Sequence, residues 1–509
     1  MKVNQLKAGV VLSYISQIIH VLITLFYTPI MLRLLGQSEF GIYQIVYSVV
    51  GFLGLMNFGF SGSYLKFFSR ARVQNNPKLG IAKLNASYLT IFIVISFVVL
   101  VLGTWMALRT DLILGGKMTD EELSTAQILM HILVFNSTAQ FLNVVFNNFI
   151  IAHEKFIPLQ IINIISTSLN PCLTFPLLLM GFGSIGMGLA LLSITIIQLS
   201  FGTFYCIRKL DMSFCFKGFE FEILKDIGSF AFFIFLESVI SMINISLDRF
   251  LLGKLVGSVA AAIYAVGGQI NTLYMTLSTT ISSVFSPRIN VMVEEGGKDK
   301  ELSNLFIKVG KIQFVVLYLV ICGFAVYGQR FINIWVGDGY TESYYVAMIL
   351  IVPNTINLIQ NIAYEIQRAK YLQKYRSYMW IGVALLNAIA SIFLIQKWGA
   401  SGAAIGTGVA WIIGSGFLMN WFYRKYVALD VNTFWKEIFK LSRGGILPLF
   451  FGFFAVPYLE SCNVFVFFGS MLLFGVVYLL SMFYMGFGYS ERNTAKLYVD
   501  NVIKRIISL

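Results

Sequence analysis

The chain of 509 residues is 58% hydrophobic and only 12% charged, with a mean hydropathy of +0.79. Soluble domains carry about 25% charged residues, so half that density excludes a cytosolic enzyme, a secreted scaffold and a nucleic-acid binder. The net charge of +13 is what a polytopic membrane protein accumulates when Lys and Arg are retained on the cytoplasmic side.

A hydrocarbon core about 30 Å thick needs about 20 apolar residues per helix. In chain order, such runs lie at 8–35, 40–68, 84–108, 125–152, 157–180, 185–207, 226–253, 259–286, 306–328, 343–367, 376–396, 401–423, 445–460 and 463–487. The expected fold class is an all-α polytopic membrane protein with about fourteen transmembrane helices. The first run follows Met1–Lys7; its apolar part is too long for a signal peptide, and no small-residue cleavage site follows. Short joins after the first, fifth and thirteenth runs leave twelve or thirteen spans open. With a cytoplasmic N-terminus, 30 of the 37 Lys and Arg fall on inner segments. That alternation predicts both termini in the cytoplasm.

The loops leave no room for chemistry. The largest outer segment is roughly 109–125, and the longest inner ones, 208–225 and 287–305, are too short to bury a core. No GxxxxGK[ST], HExxH or GxSxG pattern occurs. His153-Glu154-Lys155 lacks the second His of a zinc helix. The five cysteines (Cys172, Cys206, Cys215, Cys322 and Cys462) form no CxxC pair, so neither a disulfide framework nor a metal site is implied. A non-enzyme without cofactor is expected, and any energy source is not ATP hydrolysed by this chain.

The chain repeats itself. Gly36 and Tyr43 match Gly257 and Tyr264; Asn170, Gly183 and Gly186 match Asn387, Gly399 and Gly402. Gln140, Asn143 and Ala152 match Asn357, Gln360 and Ala369. The offsets lie between 216 and 221 residues. Two six-helix lobes in parallel repeat, plus two C-terminal helices, account for them. The expected division is an N-terminal lobe at 1–207, a cytoplasmic linker at 208–225, a C-terminal lobe at 226–424, and helices 13–14 with a cytoplasmic tail at 425–509.

Four spans carry polar residues at spacings that share one helix face. They are Ser13, Gln17, His20 and Thr24; Asn136, Gln140, Asn143 and Asn147; Glu237, Ser241, Asn244 and Asp248; and Asn354, Asn357, Asn361, Glu365 and Arg368. Any single amide is readily interhelical glue, but four such stripes predict a wet cavity, because unpaired amides facing lipid are costly. Glu237 lies about 16 Å into its span, near mid-membrane, where an ionisable group is a functional candidate. With Asn244, Asp248, Glu365 and His20 it forms the expected ion-coupling set. Lys66, Arg70, Arg288 and Arg368 sit at inner span ends. Together with Arg249 and the amides Asn136, Gln140, Asn143, Asn357 and Asn361, they are the expected substrate contacts.

These segments resemble the Wzx-type polysaccharide flippases of the multidrug/oligosaccharidyl-lipid/polysaccharide exporter superfamily over nearly the whole chain. The pieces are Thr28-Pro29-Ile30, Arg33-Leu34-Leu35-Gly36, Glu39-Phe40-Gly41-Ile42-Tyr43, Ala152-His153-Glu154-Lys155-Phe156 and Asn170-Pro171. They continue with Asp248-Arg249-Phe250-Leu251-Leu252-Gly253, Tyr264, Ser286-Pro287-Arg288 and Glu365-Ile366-Gln367-Arg368-Ala369. The resemblance implies a bacterial cytoplasmic (inner) membrane transporter that flips undecaprenyl-diphosphate-linked oligosaccharide. It also implies alternating access coupled to H⁺ or Na⁺, with polysaccharide polymerase machinery as a neighbouring partner. Lipid II flippases of the superfamily hold arginines deep in the cavity. Here the deep positions are His20 and Glu237, which argues against that substrate. The rival readings are a drug or small-cation antiporter of the same architecture, and a membrane polysaccharide polymerase or glycosyltransferase, which would need a substantial outer loop.

Overall fold

Glycines that the sequence places at span junctions are where the helices break. The computed structural model describes residues 5–73, 75–216, 235, 238–240, 242–461, 463–489 and 491–493. Among the described residues every regular element is a helix. Nine helical stretches among the described residues are long and apolar enough to cross a membrane, or ten when the bent pair Glu342–Leu358 and Asn361–Ala369 counts as one span. Two of them, Leu12–Asn57 with 46 residues and Gln373–Lys425 with 53, would measure about 70 and 80 Å at 1.5 Å per residue. Each is long enough for two crossings. Each also contains a break in helical geometry, at Gly36 (φ 77°) in the first and at Trp398-Gly399 (φ −129° and 53°) in the second.

By compactness the chain divides into Met1–Ala265 with Asn387–Ala403, and Val266–Leu386 with Ala404–Leu509. The first unit contains α1 (Gln5–Leu53), α2 (Phe60–Arg72), α3 (Pro77–Leu108), α4 (Thr110–Leu114), α5 (Asp120–Ala152), α6 (Phe156–Leu179), α7 (Gly183–Lys209) and α8 (Asp248–Leu255). Here α5 packs along α3 and α7, and α1 packs along α6. Between α1 and α2 the second apolar run is interrupted: Phe58 and Gly59 both take positive φ, 46° and 73°. The core closes on a chain of hydroxyl, amide and carbonyl. Tyr64 Oη donates to Asn85 Oδ1 at 2.6 Å, and Asn85 Nδ2 donates to the Ser213 carbonyl at 3.1 Å. Small residues set the helix spacing, as at Gly103, where a Cβ would lie 2.5 Å from Val134.

The start of α5 shows how local sequence becomes tertiary structure. Thr119 and Glu122 form a capping box, with Glu122 N–H donating to Thr119 Oγ1 at 3.3 Å and Thr119 N–H donating to Glu122 Oε2 at 2.9 Å. The other carboxylate oxygen accepts from Ser38 Oγ and from Ser258 Oγ. One side chain therefore ties the turn after Gly36 to the turn after Gly257, the two glycines that the repeat pairs. A few residues on, Gly41 approaches so closely that a Cβ there would sit 1.9 Å from the Ser258 carbonyl oxygen.

The second unit contains most of α9 (Ser258–Ser283), then α10 (Ser286–Glu294), α11 (Asp299–Val336), α12 (Glu342–Leu358) and α13 (Asn361–Ala369). It continues with most of α14 (Gln373–Trp411), then α15 (Met419–Lys425), α16 (Val431–Ser442), α17 (Ile446–Ser461) and α18 (Val464–Ser481). The amphipathic α16 buries Val431, Phe434, Ile438 and Leu441, and Phe434 stacks on Phe306 of α11 with ring centroids 4.2 Å apart. Lys311 donates to Glu437 of α16 at 2.9 Å and pairs with Glu491.

The repeat has a conformational signature in each half of the sequence, and both copies of it fall in the first unit. Gly183 and Gly399 share nearly the same φ, 50° and 53°, and Gly36 and Gly257 are both positive at 77° and 129°. Asn170 accepts from Thr174 Oγ1 at 3.0 Å, and its match Asn387 accepts from Ser391 Oγ at 3.2 Å. The same i, i+4 pair recurs where the sequence alone offered two isolated asparagines.

Candidate functional site

The first unit holds a cavity of about 410 Å³ between α1, α6 and α7, a size ordinary for small-molecule sites. Ser13, Ser16, Gln17 and His20 line it from α1, Gln160, Asn163 and Thr167 from α6, and Gln198 from α7. The α1 set falls on one face because its spacings of three and four residues follow the helical turn, and the α6 set obeys the same rule. Thr167 Oγ1 donates to the Asn163 carbonyl at 2.8 Å, so it turns part of its hydrogen-bonding capacity back onto its own helix. No Asp, Glu, Lys or Arg lines the cavity among the described residues. The wall offers amides, hydroxyls and one imidazole, groups that both donate and accept.

The sequence stripe on the first span thus contributes Ser13, Gln17 and His20 to this wall, while Thr24 lies beyond it. The α6 contributors were not among the expected sites, although Gln160, Asn163 and Thr167 at i, i+3 and i+7 carry the same periodic signal. Gln198 stands alone on its helix and carries no such signal.

The amides expected on α5 have other surroundings. Asn136 is 3% exposed and accepts from Thr195 Oγ1 of α7 at 2.6 Å; it joins two helices. Gln140 is exposed, and Asn143 is buried with its Oδ1 unpartnered, facing Gly202. Asp248 is 1% exposed and accepts from Tyr264 Oη at 2.7 Å, and Arg249 Nη1 donates to Gln44 Oε1 at 3.2 Å. Lys66 and Arg70 lie on the exposed face of α2. Glu237 lies outside the described residues. Asn244 falls in a π-helical turn, Ile243–Leu247, its side chain outside the description.

In the second unit, polar residues gather at the break between α12 and α13, where the helix axis bends by 42°. Ser278 Oγ donates to the carbonyl of Leu358 at 2.8 Å, and Gln313 Nε2 and Asn361 Nδ2 donate to that hydroxyl at 3.0 Å each. Asn357 accepts from Ser415 Oγ at 3.3 Å, and Asn354 Nδ2 donates to Asn271 Oδ1 at 3.0 Å. Gln360 is 2% exposed, with both amide atoms unpartnered. Its repeat match, Asn143, likewise carries an unpartnered buried oxygen.

At the far end of α13 the structure brings two expected segments together. Helices α10 and α13 pack against each other, Ser286 Oγ donates to Glu365 Oε2 at 2.7 Å, and Arg368 Nη1 stands 3.9 Å from Glu365 Oε1. Arg288, on the first turn of α10, is exposed, and Arg368 is half-exposed. Both cations stay accessible, and Arg368 lies beside a carboxylate.

Residues 6–293, more than half of the chain, match the family model described as "Polysaccharide biosynthesis protein". The chain belongs to that family. Over 408 residues it is 21% identical to the "Putative O-antigen transporter" of Shigella flexneri, covering 79% of this chain and 93% of the relative. Among solved structures it is similar to the lipid II flippase MurJ in an inward closed conformation, with a TM-score of 0.72 at 18% identity over 93% of this chain and 97% of that one. It is also similar to an inward-facing multidrug resistance MATE family transporter, with a TM-score of 0.67 at 15% identity over 82% and 99% of the two chains. These likenesses establish the family's fold as the one shared by MurJ and MATE transporters, an all-helical membrane architecture.

Proposed function

We propose that this chain flips undecaprenyl-diphosphate-linked oligosaccharide across a bacterial cytoplasmic membrane, without covalent chemistry, by ion-coupled alternating access. The family match over residues 6–293 carries the reading, and the neutral polar cavity of the first unit supports it. A sugar is too polar to cross hydrocarbon, where each unsatisfied polar group costs several kcal/mol, and a wall of amides and hydroxyls substitutes for its water. The accessible Arg288 and Arg368 suit a diphosphate, because guanidinium forks match phosphate oxygens. The reading includes fourteen crossings, two six-helix lobes in parallel repeat, both termini in the cytoplasm, and polymerase machinery receiving the product. Glu237 is its coupling group for H⁺ or Na⁺, and Asn244, Asp248, Glu365 and His20 complete the ion-coupling set. A drug or small-cation antiporter is the less favoured reading: a cation carrier wants acidic or aromatic lining, and among the described residues no Asp, Glu, Phe, Tyr or Trp lines the cavity.

The test is flipping by protein reconstituted in vesicles, read as loss of inner-leaflet lipid-linked sugar to an outside lectin. Arg288→Gln with Arg368→Gln should lower flipping at least tenfold while membrane insertion is unchanged, with Lys restoring part of it. Wild-type rates with both arginines removed would refute their role, and absence of flipping by the wild type would refute the function.

A further inference from the structure

We infer that the cavity between α1, α6 and α7 is a subsite for an uncharged sugar residue of the cargo, separate from the site that holds the diphosphate. The inference rests on the flippase reading above and names the substrate class that the cavity selects. Three observations point the same way. The polar positions of α1 and α6 converge on one space: Ser13, Ser16, Gln17 and His20 line it from one helix and Gln160, Asn163 and Thr167 from the other. The space is of small-molecule size, about 410 Å³. Its wall holds no carboxylate, ammonium or guanidinium group among the described residues: Gln17, Gln160, Asn163 and Gln198 each present a carbonyl oxygen and an NH₂ group, and the hydroxyls of Ser13 and Ser16 and the imidazole of His20 fill the gaps.

That donor and acceptor balance decides the ligand. A pyranose hydroxyl both gives and takes a hydrogen bond, and an acetamido substituent does the same through separate atoms, so side-chain amides complement them. A diphosphate or a uronic acid brings fixed negative charge. Its removal from water is repaid only by a cation or a dense set of donors, and no Lys or Arg reaches the wall among the described residues. An apolar drug would leave the amides without partners, and an unpaired buried amide is costly. A neutral hexose or N-acetylhexosamine unit meets both conditions. The exposed guanidinium groups of Arg288 and Arg368 lie on other elements, in the second unit, and line no part of this cavity.

The experiment measures binding of three probes to full-length protein in nanodiscs: undecaprenyl diphosphate alone, the same lipid bearing N-acetylglucosamine, and the same lipid bearing glucuronic acid. The N-acetylglucosamine probe should bind at least tenfold more tightly than the bare lipid, and the glucuronyl probe should not. Gln17→Ala with Asn163→Ala should reduce that increment to less than twofold and leave bare-lipid affinity unchanged. Gln160→Lys, checked for folding by monodisperse elution, should move the preference toward the glucuronyl probe. Equal binding of the bare and neutral-sugar lipids by the wild type would overturn the subsite alone, as would an increment that survives the double substitution. A wild type that binds none of the three probes would overturn the flippase reading and the subsite with it.

Discussion

Replacing Gly41 by Ala tests the closest backbone approach in the first unit. The added methyl would sit 1.9 Å from the Ser258 carbonyl oxygen and 2.5 Å from its carbonyl carbon. The obstacle is backbone, so no side-chain rotation relieves it; the start of α9 must move away from α1 by more than an ångström. Such overpacking costs about 1–3 kcal/mol. The displacement also pulls Ser258 Oγ from Glu122, a hydrogen bond to a carboxylate of the kind worth about 1.5–3 kcal/mol; partial exposure places it at the low end of that range. The sum is about 2.5–4.5 kcal/mol, and with an unfolding entropy of about 2.1 cal/mol/K per residue over 509 residues, roughly 1 °C per kcal/mol, the melting temperature should fall by about 2–5 °C. Melting of purified protein in nanodiscs, followed by tryptophan fluorescence, measures it. Two companions sharpen the result. Ser258→Ala should reproduce only the hydrogen-bond share, and Gly54→Ala, with nothing within 4 Å of its Cβ, should leave melting near that of the wild type. A Gly41→Ala protein that melts within 1 °C of the wild type would show that the contact is not held in the protein as it exists in lipid.

Tyr264→Phe removes the hydroxyl that donates to buried Asp248 at 2.7 Å and should lower stability by about 1.5–3 kcal/mol, read by the same melting assay; an unchanged melt would refute the bond's contribution. Glu237→Gln should insert normally yet lose the response of flipping to imposed proton or sodium gradients, measured in reconstituted vesicles; a wild-type response would place coupling elsewhere. Asp430 caps α16 by accepting from Thr433 N–H at 3.0 Å. The hydrogen bonds from Thr433 hold its carboxyl below its ordinary value of 3.8. A depressed carboxyl stabilises fully above that value and less as pH falls through the lower, folded one. Asp430→Ala should therefore cost about 0.5–2 kcal/mol at neutral pH and narrow its gap from the wild type below pH 3.8; a gap that stays constant on acidification would refute the cap.

Much of this was legible in the sequence because helices impose a period. The Ser13, Gln17, His20 spacing located one wall of the cavity, and the glycine pairs 36/257 and 183/399 marked positions whose backbones prove alike. The period alone does not tell a cavity wall from a buried pin. Asn136 shares its face with Gln140, yet it ends against Thr195 and is buried, because any amide in a membrane protein must find a partner and the spacing does not name it. The interruption at Phe58-Gly59 was hidden by an apolar run that reads as continuous helix. The break at Gln360 was hidden for the opposite reason: its polar neighbours fit one helix face so well that a straight span explained them.

All eight residues around the sugar-sized cavity come from one compact unit. A pocket of that kind keeps its shape when the unit moves as a body, so its occupant adds the same free energy to each arrangement that the chain adopts. A ligand bound equally in two states divides out of their equilibrium. On the proposed flippase reading the cavity is therefore a seat and not an engine: it would select what travels, while direction would fall to sites whose occupancy changes with state, or to removal of the delivered sugar on the far side.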